Sequence, residues 1–342
     1  MNKLRTLLFC VLCFTLSASF LHSGFVVKAT LTLTYPANAV WIANGGWVSM
    51  NGFILLTNLS KVVNDLKNNY IQYAFVFTGS WNANTNNISY AMTDALLTST
   101  INALHAVNVK VIAWVEDGGG GTMDIRAANR QNLISSVLAC MTKGFDGYND
   151  DIESWVGGSQ QDQIDWVNSL TAPLHAVGKL NMPDIGFDWQ QNVNEYLYVD
   201  YIVSMFYSSR STLEDAQAPY FWQEEFGEFQ GHTAHAASPI ILGIMNFPGN
   251  TYPLSWQLAQ VSTYISQYGA PQLAGFSFWL YEYMGTNPDD WVQWNLWISE
   301  QSTDDGGGTP QPRPFPVGYI TLAAGVAFMI AVLVVGRRKK KT

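Results

Sequence analysis

The sequence predicts an α/β protein built on a (β/α)8 TIM barrel, set between an N-terminal signal peptide and one C-terminal transmembrane helix. Three observations lead there. Eight strand-like runs alternate with segments of helical periodicity. The alternating region covers about 270 residues, the usual size of such a barrel. No Gly-rich dinucleotide fingerprint follows the first strand, which disfavours a doubly wound open sheet.

The expected strands, in order, are Ala39–Ala43, Tyr70–Phe77, Lys110–Val115, Gly144–Ile152, Asp184–Asp188, Tyr201–Phe206, Ile240–Met245 and Ala274–Trp279. Most are short apolar runs and each is strand-like in length and pattern. Phe53, Leu56, Leu59, Val62, Val63 and Leu66 recur at helical spacing between the first two. Ile164, Val167, Leu170, Leu174 and Val177 mark a second helix, opened by Ser159 with Asp162 three residues on, as in a capping box. Cys140 falls in a helical pattern with Leu133, Val137 and Met141 and reads as a small buried hydrophobe.

The two ends carry membrane signals. Lys3 and Arg5 precede the apolar run Leu7–Leu16 and the small residues Ser17, Ala18 and Ser19, so residues 1–29 read as a secretory signal peptide. The folded domain then covers 30–300, and the Gly/Pro-rich stretch 301–316 is a linker. Residues 317–336 carry no charge and as a helix span about 30 Å, the thickness of a bilayer core. The basic cluster Arg337–Lys341 follows in the tail 337–342, which places that tail in the cytoplasm and the domain outside. Expected localisation is therefore the cell membrane, single-pass, with the folded domain extracellular.

Charge narrows the partners. All 26 Asp and Glu lie between residues 31 and 312, with only eight Lys and Arg, a formal charge of −18. So acidic a domain makes nucleic acid a poor candidate partner, and none is expected. Neutral or cationic polymers, partly deacetylated amino-sugar chains among them, stay open. The 13 Trp, 16 Tyr and 18 Phe suit carbohydrate, whose C–H faces pack on flat π surfaces, although most such rings fill a core.

The most telling stretch is Gly144-Phe-Asp-Gly-Tyr-Asn-Asp-Asp-Ile-Glu153. Asp146, Asn149, Asp151 and Glu153 stand at offsets 0, 3, 5 and 7. In an extended strand the last three share one face. Asp151 and Glu153 lie about 7 Å apart along the backbone, close enough for their carboxyl groups to lean together, so that one keeps its proton and becomes a candidate general acid. A solvated acidic strand end or a divalent-metal site are the other readings of such a cluster.

The stretch resembles the D-x-x-D-x-D-x-E signature of family 18 glycoside hydrolases (chitinases and endo-N-acetylglucosaminidases), carried on the fourth barrel strand, with Asn149 in place of the second Asp. The resemblance implies that Glu153 is the proton donor, that Asp151 orients the substrate N-acetyl group acting as nucleophile, and that Asp146 and Asn149 support them. Ile71–Phe77 looks like the family's second strand, making Tyr73 and Phe75 expected substrate contacts. Ser204-Met-Phe-Tyr-Ser208 is similar to the sixth, with Met205 and Tyr207 inward and the Tyr207 hydroxyl on the N-acetyl carbonyl. Gly275-Phe-Ser-Phe-Trp279 matches the eighth, with Trp279 as the floor under the reacting sugar. Trp114-Val-Glu-Asp and Gly118–Gly121 stand where the family has its Gly-rich third-strand motif, with Trp114 an expected substrate contact; a mobile loop is the other reading of the glycines.

Three departures stand out. Asp150 occupies a position where the family prefers an apolar residue, and its parity points it at the helix layer, where a carboxylate needs a partner. Ser208 replaces an Asp, and Asn149 cannot exchange protons with Asp151. The expectation is a cofactor-free, retaining, substrate-assisted hydrolase of β-1,4 N-acetylglucosamine linkages, in a chitin-like polymer or an N-glycan core. A non-catalytic chitinase-like lectin is the alternative, and an adhesion protein a third.

Overall fold

A computed structural model describes residues 35–43, 54–82, 84–116, 123–151, 159–185, 199–204, 238–245, 253–268, 273–284 and 288–302. All lie in one compact unit, Leu33–Ser302. The described strands are β1 (Ala39–Ile42), β2 (Tyr73–Asn82), β3 (Asn87–Tyr90), β4 (Lys110–Glu116), β5 (Gly147–Asp151), β6 (Leu180–Asn181), β7 (Asp184–Ile185), β8 (Ile202–Ser204), β9 (Ile240–Met245) and β10 (Leu273–Trp279). The described helices are α1 (Ile54–Asn68), α2 (Asp94–His105), α3 (Ala127–Met141), α4 (Gln160–Ala176), α5 (Leu254–Tyr268), α6 (Tyr281–Met284) and α7 (Pro288–Ser302).

The strands run in the order β6-β5-β4-β2-β1-β10-β9-β8-β7, every neighbouring pair parallel. The two ends of that order, β6 and β7, are separated along the chain only by Met182 and Pro183. Met182 N donates to Tyr148 O and Val203 N donates to Pro183 O, each at 2.9 Å, so the sheet curls on itself in the manner of a TIM barrel. The strand carrying the acidic motif is the fifth in the chain but the fourth of the barrel, because β3 is an added antiparallel partner of β2.

Parity divides the apolar side chains into two cores. Trp41, Phe75, Ile112, Trp114, Val203 and Ile241 fill the interior of the curled sheet. Their neighbours Val40, Val76 and Val111 face the helices and meet Leu104, Val137 and Leu170 there. Helix starts follow local chemistry: Thr93 Oγ1 accepts from Leu96 N ahead of α2, and Ser159 and Asp162 form the expected reciprocal capping box ahead of α4. Residues 1–34, including the expected signal peptide, and 303–342, including the linker and the apolar segment 317–336, lie outside the described residues. No described helix is long and apolar enough to cross a membrane.

Close approach demands glycine at Gly79 and at Gly147, among other positions. A Cβ on Gly79 would sit 2.0 Å from Ser89 O on β3. One on Gly147 would lie 2.8 Å from both Leu180 O and Leu180 Cβ and 3.0 Å from Ile112 Cδ1. Gly147→Ala must push β5 away from β4 or β6, and overpacking of this kind costs about 1–3 kcal/mol. Urea denaturation should show that loss; a change within about 0.5 kcal/mol, the range of an inert surface substitution, would contradict the packing account.

Candidate active site

In the β4–β5 ladder Ile112 stands opposite Gly147, Trp114 opposite Asn149, and Glu116 opposite Asp151. Ile112 and Trp114 belong to the interior core, so all six positions share the inner face, and the pair Glu116–Asp151 stands at the carboxyl-terminal mouth. That end is where this fold assembles its active sites.

Asp151 is 2% exposed, and its Oδ2 accepts a hydrogen bond from Trp114 Nε1 at 2.8 Å. Trp114 is itself fully buried, its ring set edge-on to Trp41, Phe77 and Trp279 with centroids 5.0–5.1 Å apart. The indole therefore cannot swing away, and its N–H fixes the direction of the carboxylate. One layer below, Asn149 Nδ2 donates to Met182 O at 2.7 Å, while its buried Oδ1 has no hydrogen-bond partner among the described residues. With Nδ2 tied to Met182, the Asn149 Oδ1 acceptor is fixed in direction.

Trp279 closes β10 level with Met245 of β9, ahead of a cis peptide bond to Leu280. Its ring lies against Trp41 and Trp114 at centroid distances of 5.5 and 5.1 Å. The structure thus gathers Asp151, Asn149, Trp114 and Trp279 around one end of the interior.

Other expected site residues are placed elsewhere. Phe75 stacks on Trp41 at 4.5 Å and stands in register with Ile112, two layers below the mouth, where it fills the interior. Tyr73 opens β2, beside Lys110 at the start of β4, and packs on Tyr201, so it lies at the amino-terminal end, away from the mouth. Burial and then a hydrogen bond with Tyr201 raise its hydroxyl pKa well above the ordinary tyrosine value. Asp146 also lies at that end: its Oδ2 pairs with His105 Nε2 and accepts from Val111 N, both at 2.7 Å. It ties α2 and β4 to the start of β5 instead of joining the site. Tyr73 and Asp146 carried the right residue types at the wrong height. Glu153, Met205, Tyr207 and the Gly118–Gly121 stretch lie outside the described residues.

Several contributors escaped the sequence reading or were only half seen. Glu116 stands next to Asp151 in register, and Ser80 Oγ donates to its Oε2 at 3.4 Å. Ser80 reaches the inner face because the β2–β4 register skips Thr78, which flips the parity of everything after Phe77. The same bulge sends Trp81 outward, where Trp81 Nε1, Tyr148 OH and Trp166 Nε1 all donate to the buried carboxylate of Asp150. Glu282 of α6 accepts from Ala43 N at 2.9 Å, holding the last residue after β1. Cys140 is buried beside Tyr90, and burial pushes its thiol up to about 12, so it stays protonated and inert. Among the described residues no three His, Cys, Asp or Glu side chains are grouped to hold a metal.

Trp114→Phe keeps the ring but removes the N–H to Asp151. A hydrogen bond to an ionised group is worth about 1.5–3 kcal/mol, and the variant should lose that much stability in a denaturant titration. An unchanged midpoint would show that Trp114 does not hold the carboxylate.

No protein-family model and no curated protein sequence matches the chain. Solved structures do. The chain is similar to the Bacillus cereus spore cortex-lytic enzyme SleL at 12% identity, over 79% of this chain and 75% of that one, with a TM-score of 0.59. It is similar to a chitinase from Bacteroides thetaiotaomicron at 12% identity, over 81% and 100%, with a TM-score of 0.57. A family 18 chitinase from Crocus vernus aligns at 13% identity over 78% and 99%, with a TM-score of 0.56. Over about four fifths of the chain, these alignments give it the TIM-barrel-like fold that the solved structures share.

Proposed function

We propose that the chain is a retaining glycoside hydrolase that cleaves β-1,4 N-acetylglucosamine linkages by substrate assistance. The observation that carries this reading is Asp151, held by Trp114 at the mouth of a chitinase-type barrel, two residues ahead of Glu153. In this reading the extended backbone continues to Glu153, which then shares the face of Asp151. In this reading the Glu153 carboxyl gives its proton to the leaving glycosidic oxygen. The substrate acetamido oxygen attacks the anomeric carbon from the opposite side and forms a bicyclic oxazolinium. Asp151 accepts the acetamido N–H, and its negative charge stabilises the positive charge that builds up there. In this reading Tyr207 donates to the acetamido oxygen, and Met205 is the other expected contact from the same segment. Water activated by the Glu153 carboxylate then opens the intermediate, and two inversions give net retention.

Trp279 supplies the apolar floor, with its ring backed by Trp41 and Trp114. The partner is an N-acetylglucosamine-containing glycan, and this chemistry needs no cofactor. The apolar segment 317–336 and its basic flank support a single-pass anchor with the barrel outside the cell. The reading predicts that truncation after residue 316 moves the protein from the membrane fraction to the medium. Retention in the membrane fraction would remove the anchor from the proposal.

Glu153→Gln tests the chemistry. The variant should bind chitooligosaccharides within a fewfold of wild type and lose at least about 100-fold in turnover, the scale of a lost general acid. Proton NMR of the first product released by wild type should show the β anomer. Equal turnover by variant and wild type, or an α product, would overturn the assignment.

A further inference from the structure

Asp150 is a buried carboxylate, 2% exposed, that the proposed chemistry does not use. It sits on the outer face of β5, back to back with Asp151. Trp81 Nε1 donates to Oδ1 at 3.3 Å, Tyr148 OH donates to Oδ1 at 2.7 Å, and Trp166 Nε1 donates to Oδ2. These donors come from three places: the end of β2, β5 itself and α4. The two indoles pack edge-to-face at 6.4 Å, so their N–H groups converge on the carboxylate from fixed directions. An indole N–H can only donate, which requires Asp150 to present both oxygens as acceptors.

Among the described residues β5 pairs with β4 along its whole length and with β6 at Gly147 and Tyr148. A twist of the strand end about its axis that turns Asp150 turns Asp151 with it, because the two are joined through one peptide plane.

We propose that Asp150 is a positioning residue for Asp151: its carboxylate, pinned by Trp81, Tyr148 and Trp166, fixes the rotation of the β5 end so that Asp151 meets Trp114 Nε1 and faces the barrel axis. The claim concerns the geometry of the site and rests on the hydrolase reading only for its kinetic readout.

The test uses the full chain labelled with 15N at the tryptophan indoles, with the Trp114 resonance assigned from Trp114→Phe. Asp150→Asn removes one acceptor and sets an amide donor against an indole N–H. It should move or broaden the Trp114 indole resonance, although residue 150 faces the other side of the sheet. It should also lower kcat by about 10- to 100-fold with KM kept within about twofold, the pattern of a small misplacement of reacting groups. A folded Asp150→Asn protein with the Trp114 resonance unmoved overturns the proposal. If that variant does not fold, Trp166→Phe decides: it keeps the carboxylate and releases its hold on α4, and should move the Trp114 resonance in the same direction by a smaller amount. No movement there overturns the proposal equally. A Trp114 resonance that moves in a protein whose wild type turns over no glycan would sustain the positioning role and remove the hydrolase.

Discussion

Alternation along β5 forces two consecutive carboxylates, Asp150 and Asp151, into opposite faces of one strand, and both are almost fully buried. An ionised carboxylate removed from water costs several kcal/mol unless donors surround it. The structure meets that cost separately on each side. Trp114 serves the inner face, and Trp81, Tyr148 and Trp166 serve the outer one. Much of the local architecture follows from this requirement. The β2 bulge turns Trp81 outward, α4 carries Trp166 at the right height, and the interior rings lock the Trp114 indole in place.

The chain's wealth of tryptophan therefore has a second explanation beside sugar stacking. Near β5 the indoles act as rigid, neutral hydrogen-bond donors that can be buried without adding charge. A lysine or arginine could serve the same carboxylates more strongly, but only by bringing another desolvated charge into the interior. Neutral donors leave the negative charge of Asp151 uncancelled, as the proposed chemistry requires.

The barrel was legible because strand-like runs, most of them apolar, alternate with helical periodicity, and each of the eight expected strands overlaps a described one. β3 was not legible: Asn87-Ile-Ser-Tyr90 is short and three of its four side chains are exposed. The capping box at Ser159 and Asp162 was plain because it is local chemistry. Height within the barrel was the weak point. Alternation tells which face a residue occupies but not how far along the strand the mouth begins, so Tyr73, Phe75 and Asp146 were drawn into a site that the register places above them. Ser80 and Trp81 were hidden by a one-residue bulge that no period-two pattern can anticipate. Glu116 was within reach, two residues beyond Trp114 on the same face. The need of Asp150 for a partner was readable from parity alone, but the identity of its donors required the fold.

Fold likeness at 12–13% identity carries the architecture across, and the chemistry has to be argued from the mouth itself. There the central claim is that Asp151 stands ready for the cationic bicycle formed when a substrate acetamido group attacks its own anomeric carbon. Calorimetric titration with a thiazoline analogue of that intermediate tests this most directly. The account predicts saturable one-to-one binding by wild type, weakened at least about 100-fold in Asp151→Asn, as befits a mimic of the species the site stabilises. A wild-type protein that gives no binding heat, or an Asp151→Asn variant that binds as tightly, would contradict it.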